Sequence, residues 1–224
     1  KEYSNNADVL ELYSSQIQVL LSIDHPALIQ LYGCYRIPSK IFNENFQYNS
    51  LYNYFPEYNE LPDLIVTSTK RGNLLSNIHN LDITEKYIIL YGIASAMSYL
   101  HNKNIMHLNL NPENILLNDD FEPIIKIDIT CKIENKSLDI FTLLSEFSYS
   151  YVAPELLYDE NIVNNNEQLK LCDVYSFAMI CYFLFSGNSP YGENKNIQIN
   201  LMNAMNGKSP ILKGIISFPF IELI

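Results

Sequence analysis

Tryptophan is absent from the 224 residues, and there are only four cysteines. Cys34, Cys131, Cys172 and Cys181 form no C-x-x-C pair and have no histidine-rich spacing, which argues against a zinc site. They read as reduced structural thiols of an intracellular protein. Positive charge is also short: 14 Lys and Arg face 25 Asp and Glu, for a net charge of -11, and no basic patch stands out. Nucleic acid is therefore a poor choice of partner, and the acidity reads as a solvated surface. The longest apolar run, Val174 to Phe185, falls short of the roughly 20 residues that cross a bilayer, so it is expected to be a buried core helix and no membrane contact is expected. The chain opens without a signal-peptide pattern and shows no internal repeat, and the expected location is cytoplasmic.

What is present suits a globular fold. At 48% hydrophobic and 17% charged, the chain can bury a sizeable core, in one large domain or two small lobes. Val9, Leu12, Tyr13, Ile17, Leu20 and Leu21 have helical spacing, ended by Asp24-His25-Pro26 because the residue before proline is pushed out of the helical region. Ala27 to Tyr35 reads as a strand or a buried apolar segment, Pro38 to Pro62 as a long connection, and Leu64 to Thr67 as a short strand broken by Lys70 to Asn73. Asp82 with Glu85 three residues on predicts a capping box. A helix carrying Ile89, Ile93, Ala96, Met97 and Leu100 on its core face follows. Short strands are expected near Ile115–Leu117 and Ile124–Ile125. A very apolar helix is expected to open at Asp173 and stop at Gly187, and a last one to run from Asn196 to Met205.

Between the first long helix and the strand at Ile115 lies His107-Leu108-Asn109-Leu110-Asn111-Pro112-Glu113-Asn114. This segment resembles the catalytic loop of eukaryotic protein kinases, H-R-D-L-x-x-x-N, with the Arg and Asp replaced. Four further landmarks follow in the family's order. Tyr99-Leu100-His101 precedes the loop, Glu122 to Lys126 leads toward the D-F-G position, Ala153-Pro154-Glu155 matches A-P-E, and Asp173 to Phe177 matches the start of the central helix. Leu20 to Leu31 around His25-Pro26 resembles the end of helix C and the next strand. The resemblance implies an α+β, bilobal kinase fold, with a partial β-containing N-lobe over residues 1–70 and a mainly helical C-lobe over 71–224. Because no Gly-rich phosphate loop is present and Ile224 follows a region like helix G, it also implies truncation at both ends.

The same resemblance shows what the chemistry has lost. Kinases transfer a phosphoryl group mainly by positioning and charge neutralisation. The catalytic base position is Asn109, whose amide cannot accept a proton, and losing a positioned base typically costs about 10²–10⁴ in rate. Asn111 replaces the lysine that sits near the transferring phosphate. The magnesium-binding Asp of D-F-G falls on Ile127 in the ungapped register, although a one-residue slip would give that role to Asp128. Asn114 is retained at the second metal-ligand position, but it is neutral. It fits a loop-organising residue equally well.

The glutamate of helix C falls on Gln16, with Lys1 at a plausible spacing for its lysine partner. Thr67 falls at the gatekeeper position, Ser68 to Lys70 at the hinge, and Leu116 at a nucleotide-facing position. ATP is the implied cofactor, and the altered ligands weigh against magnesium. Packing positions such as His107, Leu20 and Leu31, and the brace at Asp173, are kept. Ser137, Thr142, Ser145, Ser148 and Ser150 read as exposed loop hydroxyls, and Leu108 in place of Arg removes the usual partner of a loop phosphate. The expected function is that of a pseudokinase: a module that binds or scaffolds other proteins in signalling. Two alternatives stay open, an active Ser/Thr or Tyr kinase of atypical mechanism and a decayed fragment.

Overall fold

The structure, a computed structural model, describes residues 19–35, 63–127, 132–133, 148–158, 162–192 and 202–210. Lys1, Gln16, Asp128, Ser137, Thr142 and Ser145, most of the first expected helix and the long connection after Tyr35 lie outside them. The chain divides into two compact units, one of residues 1–24 with 29–68 and the other of 25–28 with 69–224.

In the first unit, residues 19–22 are helical and bury Val19 and Leu20. Strand β1 (Leu31–Tyr35) pairs antiparallel with β2 (Asp63–Val66), Leu31 opposite Val66, with an irregularity between Leu31 and Gly33. The pairing extends one step past β2. The Thr67 amide donates to Gln30 O at 3.0 Å, and the Gln30 amide returns a bond to Thr67 Oγ1, also at 3.0 Å.

Ala27 and Leu28 do not continue β1. The Ile125 amide donates to Ala27 O at 2.8 Å and Leu28 bridges Ile125 in parallel. His25 shapes this turn: the Ala27 amide donates to His25 Nδ1, leaving Nε2–H for Ser95 Oγ at 3.1 Å. Asn73 caps the short helix α1 (Leu74–Asn77) by accepting from the Ser76 amide. Helix α2 (Ile83–Asn102) opens with the expected capping box: Asp82 Oδ1 accepts the Glu85 amide and Glu85 Oε2 accepts the Asp82 amide, both at 2.8 Å. Its buried face carries Ile89, Leu90, Ile93, Ala96, Met97 and Leu100. Each fully buried aliphatic there contributes about 1.5–3 kcal/mol.

Two short antiparallel pairings flank the loop that follows. Strand β3 (Ile105–Met106) pairs with β6 (Lys132–Ile133), and β4 (Ile115–Leu117) pairs with β5 (Pro123–Ile125). The β4–β5 turn is held by Asn118 Oδ1, which accepts the amides of Asp120 and Glu122. Helix α2 lies so close to β5 that a Cβ at Gly92 would come within 2.9 Å of Pro123 Cδ and closer still to its Cγ.

After the short helix α3 (Glu155–Tyr158) comes α4 (Asn166–Ser186), which packs against α2. The sequence suggests that α4 opens at Asp173, but it begins at Asn166. Asn165 is its cap, and the polar first turn carries no apolar stripe to announce it. Gly187 ends it in the left-handed conformation, φ 70°, as expected of a helix terminus. This helix is long and apolar enough to cross a membrane by composition, but most of that window is buried inside the fold, as in a core helix. Residues 202–205 are helical and are followed by Gly207 at φ 67°.

Candidate active-site loop

Residues 107–114 are tied down from two directions. From outside comes Asp173, on α4, which is 1% exposed. Its Oδ2 accepts the His107 amide at 2.9 Å and its Oδ1 accepts the Leu108 amide at 2.7 Å. Two successive N–H groups thus converge on one carboxylate, and Leu108 itself adopts a left-handed conformation, φ 59°. The pair forms a concave anion nest that the carboxylate fills. A non-glycine residue in that region costs about 1–3 kcal/mol and persists only where its surroundings hold it. The hold here is the carboxylate on one side and packing on the other: Leu108 is buried with Met106, Val152, Ala153 and Leu156. Asp173 Oδ2 also accepts from His101 Nε2 at 2.8 Å, which links the end of α2 to the same carboxylate.

His107 is fully buried and acts as a spacer. The Asn109 amide donates to His107 Nδ1 at 3.2 Å, so that nitrogen carries no proton, and His107 Nε2–H donates to Lys126 O at 2.7 Å. The loop is thereby tied to the residue after β5. The Lys126 amide donates to Asn114 O at 2.8 Å and its ammonium donates to Glu113 O at 3.2 Å.

From inside, three asparagines make a closed arrangement. Asn111, 3% exposed, uses its whole carboxamide. Its Oδ1 accepts the amides of Glu113 (2.9 Å) and Asn114 (3.3 Å), and its Nδ2 donates to Asn109 O (3.1 Å) and Asn109 Oδ1 (2.9 Å). Asn114 Nδ2 also donates to Asn109 O, at 2.9 Å. Backbone N–H groups can only donate, so Asn111 must face them with its oxygen and Asn109 with its nitrogen. Asn109 must in turn present its oxygen to Asn111. Asn109 is 6% exposed, and its own Nδ2 has no hydrogen-bond partner among the described residues. A buried donor left unpaired typically costs about 1–3 kcal/mol.

The turn over 148–151 packs against α4. Ser176 Oγ donates to Tyr151 O at 2.7 Å, and the Tyr151 ring meets Phe183 edge-on. Burial, with the Glu113 carboxylate adding to it, pushes the Tyr151 phenol well above its usual range. Tyr175 and Tyr191 share a hydroxyl–hydroxyl bond at 2.7 Å, and burial raises both.

The protein kinase domain profile matches residues 1–219, so the chain belongs to the protein kinase domain family, and its fold is the α+β kinase fold. It is 33% identical over 199 residues to calcium-dependent protein kinase 5 of Plasmodium falciparum (isolate 3D7), a match covering 85% of this chain and 29% of that protein. It is 29% identical to LRR receptor-like serine/threonine-protein kinase RGI5 of Arabidopsis thaliana, over 84% of this chain and 16% of the relative. With serine/threonine-protein kinase kin-29 of Caenorhabditis briggsae the figures are 30%, 92% and 21%. The chain spans less than a third of the length of these curated relatives.

Within this family frame, Asn109, Asn111 and Asn114 come together in one hydrogen-bonded set. Thr67 spends its hydroxyl on Gln30, Ser68 and Lys70 are exposed, and Leu116 is half-buried in β4 opposite Ile124. Ile127, at the ungapped D-F-G position, is 4% exposed. The family generally binds ATP and magnesium. The described loop residues do not fit the metal. Its oxygen donor there is the neutral Asn114 carboxamide, Ile127 supplies no oxygen, and no group of three His, Cys, Asp or Glu converges among the described residues.

Ser150, read as an exposed hydroxyl, is 7% exposed, because the turn it sits in packs against α4. His101 and Asp173 are linked without a sequence signal. The two residues are 72 positions apart, and no local pattern joins them.

Proposed function

We propose that this domain is a pseudokinase: a kinase fold kept for binding and scaffolding other proteins, with nucleotide binding in place of phosphoryl transfer. The observation that carries this reading is the loop's chemistry. At the base position stands a carboxamide whose oxygen is already engaged by Asn111, and a carboxamide cannot take a proton from a substrate hydroxyl. Asn111, where the family places a lysine, supplies no charge for a transferring phosphate and spends all four of its hydrogen bonds inside the loop. The brace from Asp173 nevertheless holds that loop in shape. A fold whose geometry is held while its charges are gone suits recognition better than turnover.

Signalling proteins are the proposed partners and the cytoplasm the proposed location. The test is a radiolabel phosphotransfer assay on the full-length parent protein with ATP and magnesium. No transfer above background is expected. Clear turnover that disappears in Asn109→Ala would overturn the reading and favour the second one, catalysis by an atypical mechanism, which the kinase names of the relatives support.

A further inference from the structure

We propose that Asn109 has reversed the hydrogen-bonding polarity of the loop's base position, so that this position donates to a phosphate oxygen and holds a polyphosphate without a metal ion. The inference rests on the nucleotide-binding part of the preceding reading. A carboxylate at position 109 would offer acceptors in every direction. The carboxamide offers one acceptor and two donors, and the loop decides which way each points.

The orientation follows from groups that cannot be reassigned. The amides of Glu113 and Asn114 fix Asn111 Oδ1, Asn111 Nδ2 then fixes Asn109 Oδ1 at 2.9 Å, and Asn109 Nδ2 is turned away from Asn111. The residue is more than nine-tenths buried, and its Nδ2 has no partner among the described residues. Turning the amide over would set Asn109 Nδ2 against Asn111 Nδ2, donor against donor, so the nitrogen is locked on the side away from Asn111. A buried, oriented and unpaired donor calls for an acceptor. The nearby Asn114 carboxamide is neutral, so no fixed anion in the asparagine set repels a phosphate oxygen.

The experiment measures binding of ATP and of inorganic tripolyphosphate to the full-length parent protein by calorimetry in EDTA, for the wild type and Asn109→Asp. Both probes are expected to bind the wild type without magnesium. Asn109→Asp is expected to weaken both on the order of tenfold to a hundredfold, the loss that follows when a hydrogen bond to a charged acceptor is removed. ATP binding that weakens while tripolyphosphate does not bind at all would place the adenosine, not the phosphate, as the ligand and overturn the proposal. So would equal or tighter binding to Asn109→Asp, or no binding of either probe to the wild type. Should the variant fail to fold, the wild type still decides: the Asn109 side-chain NH₂ resonances must shift on titration with tripolyphosphate, and unmoved resonances refute the idea. The pseudokinase reading fails separately, by turnover, so the two failures are distinguishable.

Discussion

Asp173→Asn tests the strongest link between α4 and the loop. The wild-type carboxylate accepts three donors: the His107 amide and His101 Nε2 on Oδ2, and the Leu108 amide on Oδ1. Asparagine has the same shape but only one acceptor oxygen. Whichever way it turns, its NH₂ faces a main-chain N–H, because each oxygen position serves one. One buried amide therefore loses its acceptor, and the surviving bonds lose their charge assistance, for a total of about 2–4 kcal/mol. The left-handed Leu108 also loses half of what holds it. At about 2–4 °C per kcal/mol for a chain of this size, the melting temperature should fall roughly 5–15 °C. Differential scanning fluorimetry on the parent protein measures the shift, and hydrogen exchange at the amides of His107 and Leu108 localises it. A melting temperature within about 1 °C of wild type, with those amides still protected, would refute the argument that the nest and its carboxylate stabilise the loop.

Other perturbations separate causes that look alike on paper. Gly92→Ala should destabilise by about 1–3 kcal/mol, because the new methyl meets the rigid Pro123 ring, whereas Gly187→Ala meets no atom within 4 Å and should cost only about 1 kcal/mol of left-handed backbone strain. Urea titration distinguishes them, and relief of the first by Pro123→Ala, but not of the second, completes the test. Asp82→Ala removes one half of the capping box of α2 and should cost about 1 kcal/mol, read by the same titration. Burial, with help from the carboxylates of Glu155 and Asp173, pushes the Cys172 thiol up from 9.0 to about 12, and burial alone does the same for Cys181. A thiol raised on folding adds stability that is complete below its unfolded value and is lost as pH rises through the folded one. Stability should therefore decline between about pH 9 and 12, and neither thiol should react with iodoacetamide in the native state at neutral pH.

The substitutions at 109 and 111 behave as a pair. If position 111 carried a flexible cation, nothing would fix the Asn109 carboxamide. With Asn at both positions, the second spends its oxygen on two main-chain donors and its nitrogen on the first. The loop replaces a charged constellation with a neutral one in which Asn111 is fully satisfied. Restoring the acid alone would leave Asn111 bound to it and Ile127 still without an oxygen, so Asn109→Asp is not expected to regain phosphoryl transfer.

What could be read without coordinates concerns interactions that reach four residues or fewer. The capping box at Asp82 and Glu85, the buried face of α2, the strands at Ile115–Leu117 and Pro123–Ile125, and the left-handed stop at Gly187 all follow from local spacing and residue type. The loop's identity and its missing acid were equally legible, because a motif is a local string. The tertiary structure decided the rest. It began the last long helix at Asn166 and not at Asp173, buried Leu108 and Ser150, turned Ala27 and Leu28 onto β5, and set which atom of Asn109 faces Asn111. A carboxamide is the same two letters' worth of chemistry whichever way it points. Only the main-chain donors folded around Asn111 choose between its oxygen and its nitrogen, and that choice determines what the loop can hold.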